Sequence, residues 1–217
     1  MYSVDTTKAT FINSLKNCNP QTDPYKYWLV ENVYPPEAID DIVNLPIAAP
    51  RMDYSVGRRE ANNDKRGYFD VARRNEYPIC GIIADAMQSP EVTSTIEEVC
   101  KVDLGGTYLR IEYTQDSPGF WLEPHTDIGV KKFTMLIYMS QDEDAPNWGT
   151  SIYKNAETFV GNTEYKSNQA LIFVPSPTTW HGYEKRPMHG LRKNLIINYV
   201  TNEWRARNEL AFPNNPI

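Results

Sequence analysis

From Leu104 to Val200 the chain breaks into short runs of β-branched and aromatic residues, each closed by Gly, Pro, Asn or Asp. Thr107–Thr114, Phe133–Ser140, Gly149–Tyr153, Ala170–Val174 and Leu195–Val200 are the clearest, and Phe159–Val160 is weaker. Runs of this length and punctuation read as strands. About eight of them in succession call for a sandwich, barrel or jelly roll, where strands bury one another. Ahead of them the pattern changes to helical spacing. Pro35-Pro36 opens a helix to about Asn44, with Ala38, Ile39, Ile42 and Val43 on one face. Tyr77–Gln88 and Glu91–Cys100 are two more, separated by Ser89-Pro90. Tyr25–Val33 reads as a strand, Phe11–Lys16 as a short helix, and the rest of 1–24 as an arm.

The expected class is therefore α+β, with a jelly-roll core and supporting N-terminal helices. A chain of 217 residues can bury one full core. One domain spans 1–217: mostly helical support over 1–103, the β core over 104–201, and a polar surface tail over 202–217. Residues 50–74 lack clear periodicity and read as a surface loop with a short strand near Gly67–Val71, or as a lid over a site.

Charge and cysteine content narrow the function. The net charge of −6 offers no basic excess to neutralise phosphates, which argues against nucleic acid or an anionic membrane as partner. Apolar runs are too short to span a bilayer. Three widely spaced cysteines, Cys18, Cys80 and Cys100, make neither a disulfide framework nor a zinc pattern. With a polar start and no secretory signal, a reducing, cytoplasmic setting is expected.

Two of the three histidines fit one plan. His125-Thr126-Asp127 is followed at a distance by His181 and then, after ten intervening residues, by Arg192. Residues two apart on a strand share a side, so an imidazole and a carboxylate can face one point. Two His and one carboxylate with open positions is the ligand set of non-haem Fe(II) oxygenases. Each candidate lies at the end of a β run, where a rigid scaffold holds it. His189 falls in a turn and reads as exposed.

Together with Asn147-Trp148-Gly149-Thr150-Ser151, Thr179-Trp180-His181-Gly182 and Arg192-Lys193-Asn194, the motif resembles the 2-oxoglutarate- and Fe(II)-dependent dioxygenase superfamily, nearest its prolyl-4-hydroxylase-like branch. The resemblance covers about residues 104–201. It implies a double-stranded β-helix and three metal ligands, His125, Asp127 and His181. It further implies that 2-oxoglutarate and O2 join Fe(II), that Arg192 holds the distal carboxylate of 2-oxoglutarate, and that Tyr113 and Asn194 are further donors to it. A carboxylate at Asp127 argues against halogenation. The implied reaction is hydroxylation with release of succinate and CO2; desaturation or ring closure use the same residues.

Arg110, Glu112, Trp121 and Glu123 are expected at the mouth, and their mixed charge suits a small polar molecule such as an amino-acid or sugar derivative. A peptide or protein side chain is the competing substrate. A non-catalytic jelly-roll binding protein and a zinc hydrolase on the same ligands are the competing classes.

Overall fold

The computed structural model describes residues 2–49, 57 and 66–217. Five helices are described: α1 (Val4–Lys16), α2 (Pro36–Val43), α3 (Val71–Glu76), α4 (Pro78–Gln88) and α5 (Pro90–Cys100). The strands are β1 (Tyr27–Glu31), β2 (Gly67–Tyr68), β3 (Tyr108–Asp116), β4 (Leu122–His125), β5 (Lys131–Tyr138), β6 (Ser151–Tyr153), β7 (Phe159–Asn162), β8 (Gln169–Phe173), β9 (His181–Tyr183) and β10 (Arg192–Val200). They form two antiparallel sheets, a larger one in the order β1-β8-β5-β10-β3-β2 and a smaller one in the order β4-β9-β6-β7. The α+β class is as expected.

Two helices differ from the sequence reading. α1 begins at Val4, not Phe11, and is stopped from fraying by a capping box between Ser3 and Thr6. Its first turns are rich in Thr, a weak helix former, and its buried stripe is only Thr7, Phe11 and Leu15. α3 buries no residue, so no hydrophobic period announces it; the Asp70 side chain caps it by accepting from the Arg73 amide at 2.9 Å.

Strand parity divides the larger sheet into two faces. Leu109, Ile111 and Tyr113 of β3, Phe133, Met135 and Ile137 of β5, and Leu195, Ile197 and Tyr199 of β10 pack with the helices. The packing partners include Phe11, Ile39, Ile83, Met87 and Ile96. Leu136, Tyr138, Leu171, Phe173 and Ile196 face the other way and join Trp148, Ile152 and Tyr183 in a second cluster between the sheets. The outer face is largely apolar because helices cover it, and its polar side chains Gln115 and Lys193 bond the Ile47 and Val43 carbonyls at 2.7 and 3.1 Å. The inner face also carries Arg110, Glu112, Asp116, Thr134, Arg192, Asn194 and Asn198, all buried. Buried polar groups require partners or a ligand, so this face is where a site belongs.

Cys80 and Cys100 are buried in helices and all three thiols are free. The C-terminal stretch is not merely a surface tail. Leu210 and Ala211 are fully buried, and the Ala211 amide bonds to the Leu109 carbonyl at 2.9 Å. Among the described residues no helix is long and apolar enough to cross a membrane.

Candidate metal centre and its cavity

His125 closes β4 and His181 opens β9, and the two are directly paired across the smaller sheet. Register alone brings their rings to a centroid distance of 4.4 Å. Asp127 lies just beyond β4, so strand alternation does not place it. Side chains of β5 do: Lys131 Nζ and Thr134 Oγ1 each donate to one of its oxygens at 2.6 Å. One ligand atom from each of His125, Asp127 and His181 lies within 4.8 Å of the others.

The tautomers follow from the backbone. His125 Nδ1 lies 2.9 Å from the Glu123 carbonyl, and His181 Nδ1 lies 3.0 Å from the Thr179 carbonyl. A carbonyl only accepts, so each Nδ1 carries a proton, and it is Nε2 of the neutral ring that has a lone pair for a metal. Burial by itself would raise the Asp127 carboxyl, but Lys131, His181 and the Thr134 hydroxyl outweigh it and hold the group well below the usual carboxylate range. Two neutral imidazole nitrogens and one anionic oxygen converging in a cavity are the donors a divalent cation of Fe(II) type takes.

A line of hydrogen bonds runs back from Asp127. Thr134 Oγ1 accepts from Asn198 Nδ2 at 3.0 Å, and Asn198 Oδ1 accepts from Arg110 Nη1 at 3.3 Å. Arg110 in turn donates to Glu112 at 2.9 Å and to Glu209 at 2.7 Å. Its guanidinium lies between Tyr68 and Trp204, at 4.9 and 4.8 Å. Arg66 adds two bonds to Glu112, at 2.5 and 2.7 Å. The carboxylate facing the metal position is thus oriented through Thr134 and Asn198 from a buried charge cluster.

Burial pushes the His181 imidazole down to about 4, helped by the neighbouring His125 and opposed by Asp127. The unfolded chain protonates a histidine near pH 6.5. As pH falls through that value, the unfolded state takes up a proton the folded state refuses until about pH 4. Metal-free protein should therefore lose about 3 kcal/mol from this residue across that window, and nothing above it. Urea unfolding in chelator across the window, beside His181→Gln, tests this: equal pH slopes in the two proteins would show that His181 is not the source.

One cavity of about 520 Å³ joins these groups. Arg192, Thr150, Tyr183, Ile196 and Leu136 line one end, and Arg66, Arg110, Glu112, Trp204 and Glu209 the other, with His125, Asp127, Lys131, Thr134 and His181 on its wall. The ends lie far apart because Arg192 and Asn198 are six residues apart on β10, roughly 20 Å of strand.

Arg192 is buried in this cavity, as expected, but its fork is partly engaged. Nε donates to the Trp148 carbonyl at 2.7 Å, Nη1 to Asp116 at 2.8 Å, and Nη2 reaches Thr150 Oγ1 at 3.4 Å. Tyr113, expected as a donor to the co-substrate, faces the helices from the outer side of β3 and lines no part of the cavity. Odd-numbered residues of β3 point outward, so the Tyr113 hydroxyl finds no hydrogen-bond partner among the described residues. Thr150 lines the cavity beside Nη2 of Arg192. Asn194 shares the inner face of β10 with Arg192, but its amide donates to Thr114 at 3.2 Å and the residue does not line the cavity.

Arg110, Glu112 and Glu123 line the cavity. Trp121 does not; its ring lies beneath Lys185 at 4.7 Å and against Gly57, where a Cβ would come within 2.4 Å of it. The Glu123 amide donates to the Gly57 carbonyl at 2.9 Å, which sets Gly57 at the mouth. The proposed lid over 50–74 lies partly outside the described residues; its described part is Gly57 and residues 66–74, which hold β2 and the start of α3. His189 is exposed and bonds Asp144 at 2.6 Å. Asp116, Lys131, Thr134, Asn198, Trp204 and Glu209 were missed. Of these only Lys131, four residues after Asp127, carries a sequence signal.

No family model matches the sequence, and no curated protein does. Solved structures do match. A prolyl 4-hydroxylase from Phytophthora capsici superposes with a TM-score of 0.62 at 13% identity, over 95% of this chain and 68% of that one. A Trichoplax adhaerens prolyl hydroxylase, in complex with a hypoxia inducible factor peptide fragment, gives 0.56 at 12% identity, over 94% and 93%. HygX from Streptomyces hygroscopicus, with nickel, 2-oxoglutarate and hygromycin B bound, gives 0.53 at 11% identity, over 82% and 83%. The likeness is one of fold: the chain has the fold of the prolyl 4-hydroxylases.

Proposed function

We propose that this protein is an Fe(II)- and 2-oxoglutarate-dependent oxygenase that hydroxylates a small polar metabolite. The observation that carries the reading is the meeting of His125, Asp127 and His181 in the cavity that also holds Arg192. The two sheets are read as a double-stranded β-helix, and residues 1–217 as one domain. A reducing, cytoplasmic setting suits three free thiols and a ferrous ion.

His125, Asp127 and His181 would hold the metal, and the arrangement leaves positions open for co-substrate and O2. Bound Fe(II) would activate O2, the oxidant, with one oxygen atom going to the substrate hydroxyl and the other to the succinate formed as 2-oxoglutarate gives up two electrons and CO2. Thr134 and Asn198 hold Asp127 in its orientation. Thr150 and Nη2 of Arg192 receive the distal carboxylate of the co-substrate. The walls between the sheets, among them Leu136 and Ile196, keep water from that end. The opposite end, with Arg66, Arg110, Glu112 and Glu209, carries both signs of charge, which suits a small zwitterionic or hydroxyl-rich molecule.

A second reading, hydroxylation of a peptide side chain, is favoured by the likeness to prolyl hydroxylases, one of them peptide-bound. The test is anaerobic. Adding Fe(II) and 2-oxoglutarate should raise a weak visible charge-transfer band, and a bound substrate should shift it. Absence of the band rejects the oxygenase reading. A band shifted by proline-containing peptides, but not by amino acids or amino sugars, decides for the second.

A further inference from the structure

Arg192 faces Asp116 directly across the β10–β3 pair, so the register of the sheet sets a cation and an anion side by side at the closed end of the cavity. The ion pair is 2.8 Å long, and its side chains are only 2% and 4% exposed. Burial works against the charge of Arg192, and Asp116 together with Tyr165, Tyr183 and Tyr138 outweighs it.

Donor accounting sharpens the point. A guanidinium binds a carboxylate bidentately through Nε with one terminal nitrogen, or through the two terminal nitrogens. Here Nε is engaged by the Trp148 carbonyl and Nη1 by Asp116. Nε has spent its only proton, which closes the Nε fork, while Nη1 gives one of its two protons to Asp116. Nη2 has only the long contact to Thr150, and the ring of Tyr183 covers a face of the guanidinium at 4.5 Å. The Thr150 hydroxyl accepts from Tyr138 at 2.9 Å and keeps its own proton to give. An incoming carboxylate therefore meets the terminal nitrogens alone, one hydroxyl, and a cation already paired with Asp116.

We propose that Asp116 is a specificity-determining residue that relaxes the preference of this site for a dicarboxylic 2-oxo acid over a monocarboxylic one. The inference rests on the oxygenase reading above. In a site where the cation stands alone, a co-substrate lacking the distal carboxylate leaves a buried charge unpaired, and that penalty creates the selectivity. Here Asp116 removes the penalty in advance. It also places a second negative charge next to the distal carboxylate of 2-oxoglutarate, which weakens the favoured ligand. Each effect narrows the ratio between the two ligands. The occupants of this end are 2-oxo acids of about five carbons with a charged or uncharged tail.

The probes are 2-oxoglutarate and 2-oxopentanoate, which differ only in the distal carboxylate and chelate Fe(II) alike. Anaerobic titration of the Fe(II)-loaded protein, followed by the visible band and by calorimetry, gives a dissociation constant for each. Wild type should favour 2-oxoglutarate by no more than about tenfold, roughly 1.4 kcal/mol. Asp116→Asn should widen the ratio to about a hundredfold or more, by tightening 2-oxoglutarate and weakening 2-oxopentanoate. A wild-type preference well above tenfold, or a ratio that fails to widen in Asp116→Asn, overturns the proposal. If Asp116→Asn does not fold, the wild-type ratio decides alone. If neither acid gives a band or heat, the oxygenase reading itself fails; if each binds, only their ratio is at issue.

Discussion

Asp127→Ala abolishes metal binding, and Thr134→Val only weakens it: that is the expected order of effects at the centre. Asp127 is the one anionic donor of the three, and the two imidazoles that remain are neutral. Two neutral nitrogens in a cavity that also holds the Lys131 ammonium cannot offset the loss of a divalent cation's water shell. Thr134 acts differently. Its hydroxyl gives Asp127 one hydrogen bond of 2.6 Å and takes one from Asn198, so valine frees the carboxylate to rotate but leaves it in place. Loss of such an orienting partner costs about ten- to a hundredfold in metal affinity. Anaerobic Fe(II) titration by equilibrium dialysis reads each variant, and Thr134→Ser should recover most of the loss. An Asp127→Ala protein that binds iron as wild type does would remove the carboxylate from the ligand set and the oxygenase with it.

Gly149→Ala should be the most destabilising single methyl in the described chain. A Cβ at Gly149 would lie 1.7 Å from the Thr163 carbonyl oxygen and 2.8 Å from its carbon. Those are backbone atoms, and they cannot swing aside. The approach is held on each side, by the Thr163 amide to the Thr150 carbonyl at 2.9 Å and by the Thr150 amide to Thr163 Oγ1 at 3.0 Å. Making room breaks those bonds and displaces Thr150 from the cavity wall. The expected loss is at least about 3 kcal/mol, a fall in Tm of about 10 °C for a chain of this size, with weaker 2-oxoglutarate binding. Gly161→Ala is the control, since a Cβ there meets nothing within 4 Å. Equal melting temperatures for the two variants would show that the close approach is not a constraint.

How far the site was legible depends on the kind of information each residue carries. His125, Asp127, His181 and Arg192 stood out because histidine is scarce and each lies beside a recognisable β run. Tyr113 was mistaken for a cavity residue because its type suits a donor, yet its odd position on β3 sends it to the helices. Thr150 was passed over inside a quoted motif because a threonine next to a strand is ordinary. Trp204 and Glu209 sit in a stretch whose composition is that of a tail, and only chain return brings them to Arg110.

The sequence by itself determined the alternation of apolar and polar residues, and with it the class of the fold. Local pattern suffices for that, because each strand's side chains take opposite sides whatever its neighbours are. The tertiary structure alone decided which inner-face residues meet: His125 opposite His181, Asp116 opposite Arg192, Asn198 beside Thr134. Those encounters depend on register between strands far apart in the chain. Register is set by the packing of the two sheets on each other and of the larger one on the helices, which no single segment encodes.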